Sequence, residues 1–158
     1  MKKWILFFIG LTIIVLAITI NIFIKGHSPL RAARDEAVQE VKHSTDIVKV
    51  KDFYLYHGSK SIYTVVGETK NGEKKVAFIP ENKKSGLTEI KWAKGISKED
   101  ALNKLTQEKH PKKILGIRLG LEKVGPIWEI SYLDNEGDLN YYYLLFKSGD
   151  WWKTVENI

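Results

Sequence analysis

Ile62-Tyr63-Thr64-Val65-Val66, Asn71-Gly72 and Val76-Ala77-Phe78-Ile79 are matched, 65 positions later, by a second series of the same kind. That series is Ile127-Trp128-Glu129-Ile130-Ser131, Glu136-Gly137 and Tyr141-Tyr142-Tyr143-Leu144. Upstream, Asp35-Glu36-Ala37-Val38 with Val41 lies 64 positions before Glu99-Asp100-Ala101-Leu102 with Leu105. Two separate segments agreeing on nearly one offset describe a duplicated supersecondary unit. In each copy a helical pattern comes first and strands follow. The chain therefore reads as α+β, with one helix lying across an antiparallel sheet in each unit.

The local signals support this order. In the first copy Ser28 suits a helix cap and Pro29 the first helical position. Leu30, Ala33, Ala37, Val38 and Val41 then form one helical face. In the second, Ser97 caps, Asp100 takes the third helical position and Ile96 packs on Ala101. Lys109-His110-Pro111 ends that helix. Leu115, Ile117, Leu119 and Leu121 alternate with Gly116, Arg118 and Gly120, as a strand with one apolar face does. Trp128, Ile130 and Tyr132 share a face, and so do Tyr141, Tyr143 and Leu145. Asn71-Gly72 and Asp134-Asn135-Glu136-Gly137 have the residues of hairpin turns. The expected boundaries are 28–93 for the first unit and 94–158 for the second.

Ahead of the repeat, Trp4 to Ile24 is an apolar run of 21 residues without a charge. As a helix it extends about 31 Å, the thickness of a bilayer's hydrocarbon core. Gly26 and Pro29 are expected to separate it from the next helix. The exit, Ile20-Asn21-Ile22-Phe23-Ile24-Lys25, has no A-x-A cleavage pattern, so residues 4–24 read as a retained transmembrane helix. With no cysteine in the chain, a lipid-modified N-terminus and disulfides are excluded. Lys2 and Lys3 before the run and Lys25, Arg31 and Arg34 after it nearly balance. A long following domain crosses largely regardless of charge, which favours a cytoplasmic N-terminus and an extracellular C-terminal part.

The formal net charge is +6. That suits anionic headgroups or wall polymers but is too weak and scattered for nucleic acid. Lys74, Lys75, Lys83, Lys84, Lys91 and Lys94 are the basic residues that would serve a polymer. His27, His43, His57 and His110 have no metal spacing, so no metal or cofactor is expected. Asp134, Glu136 and Asp138 alternate as a calcium loop does, but lack the twelve-residue frame. Glu129 and Asp134 are the only candidate acid pair, and Glu129, alternating with Trp128 and Ile130, is expected to face solvent. No serine lies in a nucleophile motif. The chain therefore reads as a non-enzyme with no catalytic residues.

Eight of the eighteen aromatics lie from Trp128 onward. Tyr141-Tyr142-Tyr143 cannot all face one core, and Trp151 and Trp152 split likewise. Outward rings serve either a partner or the joint between the two units. Tyr142, Trp151 and Trp152 are the candidate partner contacts.

Gly95-Ile96-Ser97, Ala101 and Leu102 resemble the G-[IL]-S-x-x-x-A start of a PepSY-type repeat. Trp128-Glu129-Ile130, Tyr132, Asp134, Gly137 and Tyr143 through Gly149 resemble its W-E-V-x-Y-x-D-x-x-G and closing F-x-x-G strands. Leu145 departs from it, standing where many such repeats carry an acid. The whole layout resembles the TseB family, formerly YpmB, of Gram-positive bacteria. That resemblance implies two tandem cystatin-like (PepSY-like) units behind a membrane anchor. It also implies an external regulator of cell-wall elongation that associates with a class B penicillin-binding transpeptidase and has no catalytic residues of its own. The alternative is a binding module for anionic wall polymer or a PepSY-type inhibitor of an external peptidase.

Overall fold

The computed structural model describes the backbone of residues 2–82 and 86–158, and the side chains of residues 9–16, 18, 19, 29–82 and 86–158. Contact density divides the chain into two compact units, residues 1–36 and 37–158.

Helix α1 runs from Lys2 to Ser44 without a break, with Pro29 inside it. This corrects the expected new start at Ser28-Pro29. Proline removes one helical hydrogen bond, but Leu30, Arg31, Ala32, Ala33 and Arg34 beyond it are among the better helix formers and carry the helix on. Leu30 is exposed rather than part of a buried face, which begins at Ala37. The expected span 4–24 and the Ser28 cap rest on side chains that largely lie outside the described residues. Among the described residues no helix is long and apolar enough to cross a membrane. At the helix end, the Thr45 amide and hydroxyl both donate to the Val41 carbonyl, at 2.9 and 2.7 Å.

Four strands follow: β1 (Ile47–His57), β2 (Ser61–Thr69), β3 (Lys74–Pro80) and β4 (Thr88–Lys91). They form an antiparallel sheet in that order. A 3-10 turn, Trp92–Lys94, leads to α2 (Lys98–Lys109). A second antiparallel sheet is built in the same sequential order from β5 (Lys113–Glu122), β6 (Gly125–Leu133), β7 (Leu139–Leu145) and β8 (Trp151–Val155). Its helix starts as the residues foretold: Ser97 and Asp100 complete a reciprocal capping box. His110 ends it in the left-handed region, φ 45°.

The two sheets repeat one turn in detail. The Thr69 amide donates to the Glu73 carbonyl at 2.9 Å and the Gly72 amide to the Thr69 carbonyl at 3.0 Å. Sixty-five residues on, Asp134 donates to Asp138 and Gly137 to Asp134, each at 3.2 Å. Gly72 and Gly137 take φ of 80° and 95°, where a side chain would be strained. The Thr69 hydroxyl and the Asp134 carboxylate each accept the amide four residues on.

Packing divides the two faces of the first sheet. Val65, Ala77 and Ile79 close one cluster with Ala37, Val41 and Ile47. Ile62, Val66, Val76 and Phe78 close a larger one with Ala101 and Leu105 of α2 and Leu119, Trp128 and Ile130 of the second sheet. Thr64, fully buried on that face, donates its hydroxyl to the Leu119 carbonyl at 2.7 Å. At the centre Trp128 meets Tyr54 and Trp92 edge-on, both at 6.0 Å between centroids, and Phe146 at 6.2 Å. Aromatic rings do join the sheets, though not those the sequence singled out. Tyr56 lies over Gly120, where any Cβ would fall 2.3 Å from the ring. One expected face is corrected: a bulge between Ile114 and Gly116 takes Leu115 out of register, leaving it 48% exposed.

Candidate functional site

The sequence points to the aromatic end of the second sheet. Tyr142 does not face out. It is fully buried and opposite Ile130, and its hydroxyl hydrogen-bonds the Glu108 carboxylate on α2. Burial first, and then the hydrogen bond to Glu108, raises its phenol pKa well above the usual tyrosine range. Tyr142 thus fastens α2 to the sheet and offers no surface to a partner. Tyr142→Phe is expected to cost about 1 kcal/mol, because Glu108 is exposed and regains water. Urea denaturation checks it. A loss above about 3 kcal/mol would mean that Glu108 is left without solvent.

Trp151 is 58% exposed, and its indole N–H donates to the Thr154 hydroxyl at 2.9 Å. Trp152 is half-buried, edge-on to Tyr143 at 5.9 Å. The Lys153 ammonium sits over both rings, 4.4 Å from the Tyr143 centroid and 4.6 Å from that of Trp152. The structure therefore separates the three candidates: Trp151 projects, Trp152 lies in a cation-aromatic stack and Tyr142 is internal.

Glu129 also departs from expectation. It is 5% exposed and pairs through Oε1 with Arg118 Nη1 at 2.9 Å. Arg118 and Tyr143 are its cross-strand neighbours. Burial and then the Glu129 charge raise the Tyr143 pKa strongly. The signal in the sequence was the turn at Lys123-Val124, which sets Arg118 opposite Glu129. A carboxylate between two strands is covered by its neighbours even where no helix crosses that face. Nearby, Glu122 accepts the Tyr56 hydroxyl at 2.7 Å and the Ser59 amide and hydroxyl at 2.9 and 2.6 Å. Burial pushes its carboxyl up, but the bonds from Ser59 and Tyr56 outweigh this and hold it below the ordinary value.

Asp134 is committed to its turn. Asn140 Nδ2 donates to Oδ2 at 2.7 Å, and the Gly137 and Asp138 amides donate to Oδ1 at 2.9 Å. Hydrogen bonding, from Asn140 foremost, lowers its pKa. The two acids of the candidate pair are thus each spent on a structural partner. Among the described residues no cluster of three His, Asp or Glu side chains is assembled for a metal.

The basic residues are partly committed as well. Lys75 bridges Asp46 and Glu89 at 2.8 and 2.9 Å, and Lys91 pairs with Glu73 at 2.6 Å. Lys74 lies 3.8 Å over the Trp92 ring. Lys83 and Lys84 lie outside the described residues. Lys94 lines an open groove of about 450 Å³ with Lys147, Ile90, Pro126 and Phe146. A second groove, about 420 Å³, has Lys60, Lys123 and Ser59 at its rim. Glu122 also lines this second groove, its carboxylate held by Ser59 and Tyr56.

A family model described as a cell wall elongation regulator TseB-like domain matches residues 36–80, from the end of α1 through β3. A protein of Bacillus subtilis (strain 168) described as probable cell wall elongation regulator TseB is 28% identical over 160 residues. The alignment covers 99% of this chain and 98% of that relative. A solved structure, the YpmB protein from Bacillus subtilis, superposes with a TM-score of 0.69 at 28% identity. It covers 77% of this chain and 95% of its own.

Proposed function

Because the chain belongs to the TseB-like family, we propose that it is a membrane-anchored, externally facing regulator of cell-wall elongation, without catalysis of its own. The observation that carries the reading is the end-to-end match, 99% of this chain against 98% of a relative described as a probable elongation regulator. The apolar run 4–24 supports the anchor, with about 130 residues left for the outer face. The two grooves and the committed acids support a role through binding rather than bond cleavage. The two sheets, each led by a helix and sharing a turn 65 residues apart, support a tandem of cystatin-like units. The partner this reading names is a class B penicillin-binding transpeptidase, held close to the bilayer by the anchor.

Crosslinking of the full chain in intact wall-building cells tests the partner. An adduct with the transpeptidase that is lost when residues 4–24 are exchanged for a cleavable secretion signal supports the reading. An equal adduct yield from the released form overturns the need for an anchor, and the absence of any transpeptidase adduct overturns the partner. The topology is checked separately. A reporter enzyme active only outside the membrane, fused after Ile158, is expected to be active. An inactive fusion beside an active cytoplasmic reporter would invert the orientation.

A further inference from the structure

The two open grooves adjoin. One is lined by Thr88 and Leu121, the other by Ile90 and Pro126. Thr88 and Ile90 are two residues apart on β4 and so share a face, and Leu121 and Pro126 are cross-strand partners at the β5–β6 hairpin. Together the grooves make one crevice along β4, where the edge of the first sheet meets the β5–β6 hairpin and the β7–β8 turn of the second. Its floor is apolar, with Ile62, Pro80 and Leu121 at one end and Ile90, Pro126 and Phe146 at the other. Its rim is basic. Lys60 and Lys123 stand at the first end, Lys94 and Lys147 at the second, and all four are exposed. Lys75, Lys91 and Lys109 each hold a carboxylate, but among the described residues none of these four is in an ion pair. The one acid lining the crevice, Glu122, is already bonded by Tyr56 and Ser59.

We propose that this crevice is the docking surface for an extended segment of a partner protein in which acidic and apolar residues alternate, the apolar side chains on the floor and the carboxylates at the four lysines. Four unpaired ammonium groups around one bonded carboxylate leave the rim positive, which attracts an acidic segment and repels a basic one. An extended chain turns successive side chains to opposite sides, so alternation seats one set on the floor and leaves the other level with the rim. The floor decides between an acidic peptide and a bare polyanion. A polyanion has nothing apolar to set against Ile62, Leu121, Ile90 and Phe146, and its inner charges would meet the Glu122 carboxylate. Apolar side chains seated there leave water, while the acids stay wet beside the lysines. A formal net charge of +6 argues against a second copy of this chain as the source of the acidic segment. The proposal concerns the surface and stands whichever protein supplies the segment, so its failure would leave the role in elongation untouched.

The test uses the full chain and three dye-labelled octapeptides, alternating leucine with glutamate, leucine with lysine, or serine with glutamate. Binding is read by fluorescence anisotropy at physiological salt. The leucine–glutamate peptide is expected to bind more tightly than either of the others. Lys60→Glu with Lys123→Glu, and separately Lys94→Glu with Lys147→Glu, should each weaken it about three- to tenfold, as the loss of two exposed ion pairs does. Lys112→Glu with Lys113→Glu makes the same change in net charge elsewhere. Lys113 is eight residues from Leu121 along β5, about 26 Å at the usual strand rise and beyond the screening length. That variant should bind the peptide within about twofold of the unaltered chain. Far-UV circular dichroism checks that all three variants fold. Four results would overturn the proposal. The first is no binding of the leucine–glutamate peptide, and the second is equal affinity for the leucine–lysine peptide. The third is equally tight binding of the serine–glutamate peptide or of inorganic polyphosphate, which would make the crevice a polyanion site. The fourth is an equal loss in the Lys112 and Lys113 variant, which would make the attraction a matter of net charge alone.

Discussion

Trp128→Ala is expected to destabilise the protein by about 3–5 kcal/mol, the range for truncating a large buried aromatic. Three losses coincide. The indole is fully buried, so its removal leaves a cavity that the surrounding strands cannot close without giving up register. Its N–H donates to the Ile96 carbonyl at 3.2 Å, and that carbonyl loses its partner just ahead of the α2 cap. Its ring contacts with Tyr54, Trp92 and Phe146 join the two sheets and vanish together. Against a typical total of about 5–15 kcal/mol, such a loss is a large share of the stability. Trp151→Ala is the control. That ring is 58% exposed, and its removal should stay within about 0.5 kcal/mol. Urea denaturation followed by far-UV circular dichroism compares the two. Equal midpoints for the two variants would mean that Trp128 is not the joint between the sheets.

The contrast between these tryptophans shows what sequence patterning conveys. Alternation reports which residues share a face of a strand. It carries no information about what covers that face. Trp128, Ile130 and Tyr132 share one face by alternation, and all three are buried. Alternation puts Glu129 on the other face, yet it is not solvated there, because Arg118 and Tyr143 on the flanking strands enclose it. Alternation also sets Tyr142 against its neighbours, but that its face is the one α2 covers is a tertiary fact. Consecutive buried Val65 and Val66 carried a hint that both faces of the first sheet are occupied. The Ser97 cap and the two glycine turns were legible because their chemistry is local. The bulge at Leu115 was not, since an extra residue shows only once the partner strand is known. Pro29 misled for a related reason: a helix boundary is a sum over neighbours, and one unfavourable residue does not decide it. Of the candidate contacts, Trp151 and Trp152 are expected from the sequence to split between faces, but which of them projects follows only from the pairing of β8 with β7.

Raising the pH is expected to unfold the protein in one cooperative step rather than to titrate its tyrosines one by one. Five of the seven tyrosines have phenol pKa values raised by the fold: Tyr54, Tyr56, Tyr132, Tyr142 and Tyr143. Burial is the first cause in each. For Tyr56 and Tyr142 the next is a hydrogen bond to a carboxylate, Glu122 or Glu108, which cannot survive loss of the phenolic proton. For Tyr54, pushed up to about 12, it is the nearby charge of Asp52. The unfolded chain releases these protons near the ordinary tyrosine value of about 10. Below that pH the phenols are neutral in both states, and their contribution to stability is fully present. Above it, the unfolded chain ionises while the folded chain holds its protons, so stability falls as pH rises toward the folded values. The losses add across five residues in one compact unit, and Tyr56, Tyr142 and Tyr143 belong to the same core cluster. Tyrosinate absorbance and far-UV circular dichroism, followed together from pH 9 to pH 13, should therefore show most of the phenols ionising with the loss of sheet structure, at a pH above about 10. Complete ionisation with the sheet signal intact would mean that these phenols reach solvent in the folded state, and the packing of Tyr56, Tyr142 and Tyr143 described above would be wrong.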